Sequence, residues 1–498
     1  MNVNPITRLD YPDPDVIRVE DTYYMVSTTM HFMPGCEILQ SFDLVHWEHV
    51  TYVYETLDHT DAQQLKSGQN IYGQGMWAAS LRYHEGRFYI CFVANDTRKT
   101  YLYTSEKIDG PWKKQLIEGF YHDGSLLFDE DGRNYIVYGN DEIWITELNE
   151  DLTAPKKDGL HRLLVSDHKN PELGYEGSHI QKINGYYYIF LVHSLRDRWM
   201  RTEACFYSDS LEGEFTGGDV LCDDRGYCGQ GVAQGGIVDT PDGKWYAMLF
   251  QDSGAVGRLP ILLPVTWKDH FPVFGQNGHV PEEIEVHSTR PGYIYQPLVG
   301  SDDFCNGLLP RWQFNHDPDP QYYHLDALQG TYTITTREVC TELTQAVNTL
   351  TQRMSYPSCA AEVTVDASAL KEGDVAGLCA FQGCYAAVGI TKHHGKYEVL
   401  MLDKKEDGIL DMTERTVVES HQMDFRLEAD FCNMKDEARC YYRVNKGDWL
   451  PIGTVHKLYF KLDHFTGCRF GLFCYAAEET GGSACFRDFK YYDVDEIS

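Results

Sequence analysis

Three acidic residues occupy matching places in a pattern that recurs along the first half of the chain. Asp123 and Glu176 each precede an aromatic position by twelve residues, at Tyr135 and Tyr188, and Asp13 stands near the start of an earlier copy. Carboxyl groups held close together cannot all ionise freely, because like charges and burial raise the pKa of at least one. A protonated acid and an ionised base would then coexist near neutral pH, which is what hydrolysis of an acetal requires.

Two further copies place other side chains at the same point of the pattern. Trp77 stands twelve residues before Tyr89, and Gln234 stands twelve before Tyr246. If the copies fold alike, these two residues and the three acids begin corresponding strands and form a ring. Each acid taken singly could instead be a turn or loop-capping residue. The shared spacing is what favours a common site.

The five copies are predicted β-hairpins. Each has a polar turn of the type Glu-Asp, Glu-Gly, Asp-Gly or Asn-Gly, followed by an aromatic pair and apolar residues. The aromatic anchors are 65, 46, 53 and 58 residues apart, and further short strands lie between them. A recurrence of this length with little helical periodicity predicts a five-bladed β-propeller, whose inner strands line a central axis. The alternative is coincidence among Tyr-rich hairpins.

The second half of the chain has a different pattern. Residues 281–300 are predicted to be a connector, and segments of period two follow Phe304, separated by polar turns such as His394-Gly395. Such strands are expected to form two packed antiparallel sheets. The sequence therefore predicts an all-β protein with a propeller at 1–295 and a β-sandwich at 296–498, and no catalytic group stands out in the latter.

Composition restricts the partners. With 43 Lys and Arg against 75 Asp and Glu, the net charge is -32, which disfavours nucleic acid and anionic membranes. No apolar run reaches 18 residues and no secretory signal is visible. The 15 cysteines include no CxxC pair, so they are predicted to be reduced thiols of a cytoplasmic protein. The sequence leaves the oligomeric state open, with a homo-oligomer as one option.

The motifs around these residues resemble glycoside hydrolase family 43 over essentially the whole chain. That family has a five-bladed propeller and inverts the anomeric configuration, and its β-xylosidase branch adds a concanavalin-like β-sandwich. The motifs that carry the resemblance are Pro12-Asp13-Pro14, Met33-Pro-Gly, Ser41-Phe-Asp-Leu-Val-His-Trp47, Met76-Trp77-Ala-Ala-Ser80, Asp123-Gly-Ser, Tyr175-Glu176-Gly-Ser-His179, Gln234-Gly-Gly-Ile-Val-Asp and Val256-Gly-Arg258.

The resemblance implies a role for each matching residue. Asp13 matches the general base that activates water, and Glu176 matches the general acid that protonates the glycosidic oxygen. Asp123 matches the third carboxylate, which holds the acid in place and keeps its pKa high. Arg258 is expected to meet substrate and carboxylates, and Trp77 to form a wall of the −1 sugar pocket. Met33 and Gln234 are expected to contact substrate as well.

No organic cofactor is expected, and a calcium ion is left open. Many relatives place a His on the fifth blade's inner strand, near a central water or calcium, where this chain has Gln234. An amide oxygen can still ligate a hard cation. His179 is the second candidate on the axis, and Asp302 with Asp488 are candidates in the sandwich.

The resemblance implies an exo-acting glycosidase that releases β-D-xylose from xylo-oligosaccharides. α-L-Arabinofuranosidase activity, alone or combined with xylosidase activity, is the first alternative. A carbohydrate-binding propeller without catalysis is the second, and a protein-interaction propeller is the third. A sandwich loop is expected to close one side of the substrate pocket, with the segment around Phe314-Asn-His-Asp-Pro as the candidate, or as a plain turn.

Overall fold

The first half of the chain folds into five four-stranded antiparallel sheets. The computed structural model describes residues 3–493. Each sheet forms one blade, and its strands lie side by side in chain order. The strands are Asp15–Val19, Thr22–Val26, Gly35–Ser41 and Glu48–Tyr54 in blade I; Ser80–His84, Arg87–Ala94, Lys99–Ser105 and Lys113–Ile117 in blade II; Ser125–Phe128, Asn134–Asn140, Glu142–Leu148 and His161–Ser166 in blade III; Glu176–Ile183, Tyr186–Ser194, Arg201–Ser208 and Thr216–Leu221 in blade IV; and Val232–Asp239, Trp245–Asp252, Arg258–Lys268 and Phe271–Phe274 in blade V.

The blades close into a ring. The innermost strand of each blade contacts the innermost strand of the next, and that of blade V contacts that of blade I. The N-terminal segment fastens this closure, because the backbone N–H groups of Ile6 and Tyr11 donate to Pro260 O and Arg258 O at 3.1 and 3.0 Å. The predicted five-bladed propeller is therefore confirmed, and its inner strands surround the axis.

The predicted hairpin turns are of two kinds. Three are two-residue turns, at Glu20-Asp21, Glu85-Gly86 and Asn184-Gly185, and their first residues have φ of 56°, 48° and 51°. Such φ values match the twist of the flanking strands. The two Asp-Gly turns, at 131–132 and 242–243, differ because they sit within five-residue loops. The pairing still holds each inner strand in register with its neighbour.

The second half is the predicted β-sandwich. Its two sheets enclose a core of alternating apolar side chains, among them Val363, Leu378, Met401 and Phe425. One sheet has eight strands, in the order Phe32–Met33, Gln313–Asn315, Leu350–Arg353, Arg469–Tyr475, Val375–Phe381, Ala386–His393, Lys396–Lys404 and Leu410–Val418. The other has seven, in the order Tyr323–Asp326, Thr331–Thr335, Ser483–Tyr492, Ser358–Asp366, Gln422–Asp430, Glu437–Arg443 and Leu450–Lys457.

The two domains share a sheet. Phe32–Met33, which belongs to the propeller in sequence, pairs with Gln313–Asn315 of the sandwich. The predicted boundary at 295/296 lies in the segment that links Phe274 to Gln313. Helix is confined to four single 3-10 turns among the described residues, at Lys66–Gly68, Gly254–Val256, Leu343–Gln345 and Cys432–Met434. None of these is long and apolar enough to cross a membrane.

Candidate active site

The ring predicted from the spacing lines one cavity of about 880 Å³ at an end of the propeller axis. Each blade contributes one of the five residues, Asp13, Trp77, Asp123, Glu176 and Gln234. The sandwich covers part of the opening with side chains of the segment 460–465. Three acids that are distant in sequence therefore face the same enclosed volume.

The backbone at the ring is unusual for non-glycine residues. Asp13, Asp123 and Gln234 have φ of 53°, 48° and 63°, in the left-handed region. Irregular pairing follows Glu176 on blade IV and interrupts the inner strand of blade V near Gln234. Left-handed residues and bulges cost conformational energy and redirect side chains, and they concentrate at functional sites. Here they aim the polar groups at the cavity.

Asp13 is held by positively charged and hydroxyl donors. Arg258 Nη1 donates to Asp13 Oδ1 at 2.9 Å, and the Thr28 hydroxyl donates to Oδ2. Arg258 is itself buried, and its Nε and Nη2 groups have no protein partner among the described residues. Charge-assisted bonds of this kind are short and hold both partners in one geometry. Arg258 thus fixes one oxygen of Asp13 and keeps two free donors beside it.

Asp123 and Glu176 form a second group. Asp123 Oδ2 accepts the backbone N–H of Gly177 at 3.1 Å, and Glu176 Oε2 accepts Asn140 Nδ2 at 2.8 Å. Burial raises the pKa of Asp123, His122 opposes the rise and the carboxylates of Glu176 and Asp13 add to it, and the result is a pKa of about 6. The carboxyl of Asp123 can therefore retain a proton at a pH where an exposed carboxyl would have lost it.

His122 was not singled out by the sequence, yet it touches both acids. Its Nε2 lies 3.5 Å from Asp123 Oδ2 and 3.5 Å from Glu176 Oε2. Burial lowers the pKa of this imidazole, but Asp123, Glu176 and Asp13 outweigh that effect and raise it to about 9. The only available sequence signal was its position directly before Asp123.

Several aromatic side chains line the cavity, among them Trp77, Trp199 and Phe465. The Trp77 ring lies 5.6 Å from the Phe465 ring of the sandwich, and Arg258 lies over Phe465 at 4.5 Å. Arg201 also reaches the cavity, where its Nε donates to Asp252 Oδ2 at 2.9 Å. Flat apolar faces beside fixed polar groups suit a sugar, which has a C–H face and a hydroxyl edge.

Gln234 lines the cavity, and a buried side chain binds its backbone. Its backbone N–H donates to Glu203 Oε2 at 2.7 Å, and Glu203 is fully buried. Burial raises the pKa of Glu203 well above its ordinary value. The hydrogen bond to Glu203 holds the left-handed backbone of Gln234 in place.

Met33 does not line the cavity, and the expected substrate contact is corrected. Its side chain is buried in the core of the first two blades, and its backbone pairs with Phe314. The segment around Phe314 is also not the cavity loop, because Phe314 and Asn315 form a strand with the propeller. Pairing between the domains uses both segments, and the loop role falls to residues 460–465.

The predicted cation positions do not form a set of free oxygen ligands. His179 Nδ1 lies 3.2 Å from Asp15 Oδ1, and Asp15 Oδ2 already accepts Arg82 Nη1 at 2.8 Å. In the sandwich, Asp302 accepts the Phe304 N–H and the Trp312 Nε1–H on its two oxygens. Calcium requires several uncommitted oxygens, so these residues do not fit it.

Within residues 3–493, one group of side chains has the geometry to hold a metal ion. Ligand atoms of His122, Asp123 and Glu176 lie within 4.8 Å of one another. The set contains the predicted acid and its partner carboxylate. Asp488, the other sandwich candidate, lies on the strand Ser483–Tyr492 and does not belong to such a set in the described chain.

Comparison with known proteins agrees with this architecture. The model of glycosyl hydrolases family 43 matches residues 3–272, and that of the β-xylosidase C-terminal concanavalin A-like domain matches residues 301–492. The two matched models cover the propeller that carries the three acids and the β-sandwich behind it. The chain belongs to glycosyl hydrolases family 43 and is a glycoside hydrolase.

Individual relatives extend over nearly the whole chain. A curated β-xylosidase of Formosa agariphila is 27% identical, with 99% of this chain and 89% of that protein covered. The structure of a bifunctional GH43-CE protein of Bacteroides eggerthii superposes with a TM-score of 0.92 at 42% identity, covering 98% of this chain. This chain spans 63% of that protein. A GH43 enzyme engineered for both endo-xylanase and exo-arabinofuranosidase activity superposes at 0.87, with 27% identity and coverage of 99% and 100%.

Proposed function

We propose that the protein is an inverting exo-glycosidase that releases β-D-xylose from the non-reducing end of xylo-oligosaccharides. The observation that carries this proposal is the division of the acids into two groups. Asp13 is clamped by Arg258 and Thr28, whereas Asp123 and Glu176 share His122. A single-displacement hydrolysis needs one carboxyl that activates water and a second, separate carboxyl that protonates the leaving oxygen.

In the proposed mechanism, Glu176 gives its proton to the glycosidic oxygen as the bond to the anomeric carbon breaks. Asp13 accepts a proton from a water molecule, whose oxygen attacks that carbon from the opposite face. Asp123 would hold the segment that carries Glu176 in place, because its Oδ2 accepts the backbone N–H of Gly177. The unpartnered Nε and Nη2 groups of Arg258 would bind sugar hydroxyls beside Asp13.

Exo action is supported by the shape of the opening. Phe460 and Phe465, with the residues between them, bring the sandwich over the cavity that the propeller forms. A long polymer would have to pass through this wall, whereas a chain end can enter. Xylohexaose digestion should release xylose from the first time point, and early release of mid-length products would contradict exo action.

The names of the relatives guide the choice of the sugar. The Formosa relative is named a β-xylosidase, while the engineered GH43 structure is described as having exo-arabinofuranosidase activity. We therefore rank β-xylosides first and α-L-arabinofuranosides second, with dual activity as an outcome of the test. Rates on the two p-nitrophenyl pentosides, measured side by side, decide between them, and a rate only on the arabinoside would overturn the ranking.

Replacing Glu176 with Gln separates catalysis from mere sugar binding. In an enzyme, Glu176→Gln should abolish release of xylose from xylobiose while the melting temperature is retained. A carbohydrate-binding propeller would show no hydrolysis in the parent protein either, and its sugar-induced change in Trp fluorescence would persist in the variant. A protein-interaction propeller would show no such fluorescence change.

Three further proposals concern the location of the protein, its cofactor and its assembly. All 15 cysteines are free, which supports a reducing compartment such as the cytoplasm. Activity is proposed to need no organic cofactor, and dialysis against EDTA with metal analysis tests the calcium option. Light scattering after size exclusion tests for a homo-oligomer.

A further inference from the structure

We propose that His122 is a positioning residue for the general acid: its ring holds the carboxyl of Glu176 beside Asp123 and stabilises the carboxylate that Glu176 becomes. This inference rests on the proposed function, since it concerns the proton that Glu176 donates. The imidazole Nε2 is equidistant, at 3.5 Å, from one oxygen of each acid.

The Nε2 atom of His122 has few possible partners. Its Nε2 is buried and makes no ideal hydrogen bond within the described chain. The Trp77 ring lies edge-on at 6.0 Å and blocks one side. The neighbours that this nitrogen can meet are therefore the two carboxyl oxygens and whatever occupies the cavity.

Other charges near the cavity are already paired. On blade I, Asp13 binds Arg258, and on blade IV, Arg201 binds Asp252 of blade V. From the sandwich, Lys461 pairs with Glu406, and Asp463 is a remaining carboxylate on the rim. Glu172 lies on the blade IV side of the rim. Among these groups, His122 is the cation that directly contacts the acid pair.

A positive charge beside Glu176 has a defined effect on proton donation. When the proton moves to the glycosidic oxygen, Glu176 becomes a carboxylate, and the imidazolium stabilises that product of the transfer. Proton donation by Glu176 is therefore easier with the charged ring beside it than without it. The proton balance is simple: Glu176 loses one proton to the leaving oxygen, and His122 keeps its own.

The test is His122→Gln, which removes the charge and keeps a polar side chain. Xylobiose, whose leaving group needs protonation, should be hydrolysed about tenfold more slowly in kcat/KM. A dinitrophenyl β-xyloside, whose leaving group departs without a proton, should change less than about threefold. The basic limb of the kcat/KM profile should move up by about one pH unit, because removing a cation raises the pKa of the acid.

His161→Gln, on the outer strand of the same blade, is the matched control and should leave both rates and the profile unchanged. Melting temperatures report folding, and His122→Asn provides a second neutral variant. Equal slowing on both substrates with an unmoved basic limb would overturn the proposal and leave a merely structural role. Failure of the proposed function would appear separately, as absence of pentoside hydrolysis by the unmodified protein.

Discussion

Asp123 keeps a proton in the folded protein over a pH range where the unfolded chain loses it. Its carboxyl is buried, and its pKa rises from an ordinary 3.8 to about 6. Folding therefore becomes less favourable as pH rises between these two values and stays so above them. This unfavourable ionisation lies at a residue that lines the cavity.

Asp123→Asn should relieve that penalty, because the amide resembles the neutral acid and can still accept the Gly177 N–H. We expect the free energy of unfolding at pH 7 to rise by roughly 1–3 kcal/mol, with little change at pH 4, while activity falls sharply. Asp131→Asn, at the exposed hairpin tip of the same blade, is the control. A variant less stable than the parent at both pH values would contradict the pKa assignment.

At the scale of elements, short-range patterns in the sequence predicted the propeller. The parts of the site that depend on contacts between the two domains were not predicted. Equal spacing from the anchors Tyr135 and Tyr188 placed Asp123 and Glu176 on neighbouring blades, because each hairpin folds from local sequence. No such period marks the segment 460–465, which reaches the cavity only after the sandwich docks. For the same reason Met33 was misplaced, since its partner Phe314 lies far along the chain.

Phe465 tests the contribution of this docked segment. Its ring contacts Trp77 and lies against Arg258, so Phe465→Ala would open the wall of the sugar pocket. We expect kcat/KM on xylobiose to fall about tenfold or more, through looser positioning of sugar and Arg258. Val455→Ala, an exposed position on another sandwich strand, should have no effect. Unchanged kinetics in Phe465→Ala would show that the sandwich does not complete the site.

At the scale of the whole molecule, buried polar contacts join the domains. Arg353 of the sandwich forms an ion pair with Glu37 of blade I at 2.9 Å, and both side chains are at most 4% exposed. Burial alone would raise the pKa of Glu37, but Arg353 and His49 hold it at about 2. The stability from this pair is present above pH 4.5 and is lost as pH falls towards 2.

Arg353→Met should leave Glu37 with His49 as its remaining partner and destabilise the whole chain. Breaking a buried pair in this way costs roughly 3 kcal/mol near neutral pH, and the difference from the parent should shrink towards pH 2. Arg439→Met removes an exposed pair with Glu437 and should cost under about 0.5 kcal/mol. Denaturant melts measure both, and equal effects would contradict a buried bridge between the domains.

The stereochemistry of the first product tests the division of labour between Asp13 and Glu176 most directly. Proton NMR recorded during hydrolysis of p-nitrophenyl β-D-xyloside distinguishes the two anomers of xylose before they equilibrate. Direct attack by a water molecule held by Asp13 predicts α-xylose as the first product. Initial appearance of β-xylose would contradict the account, because it would require one of the carboxylates to bond to the sugar instead.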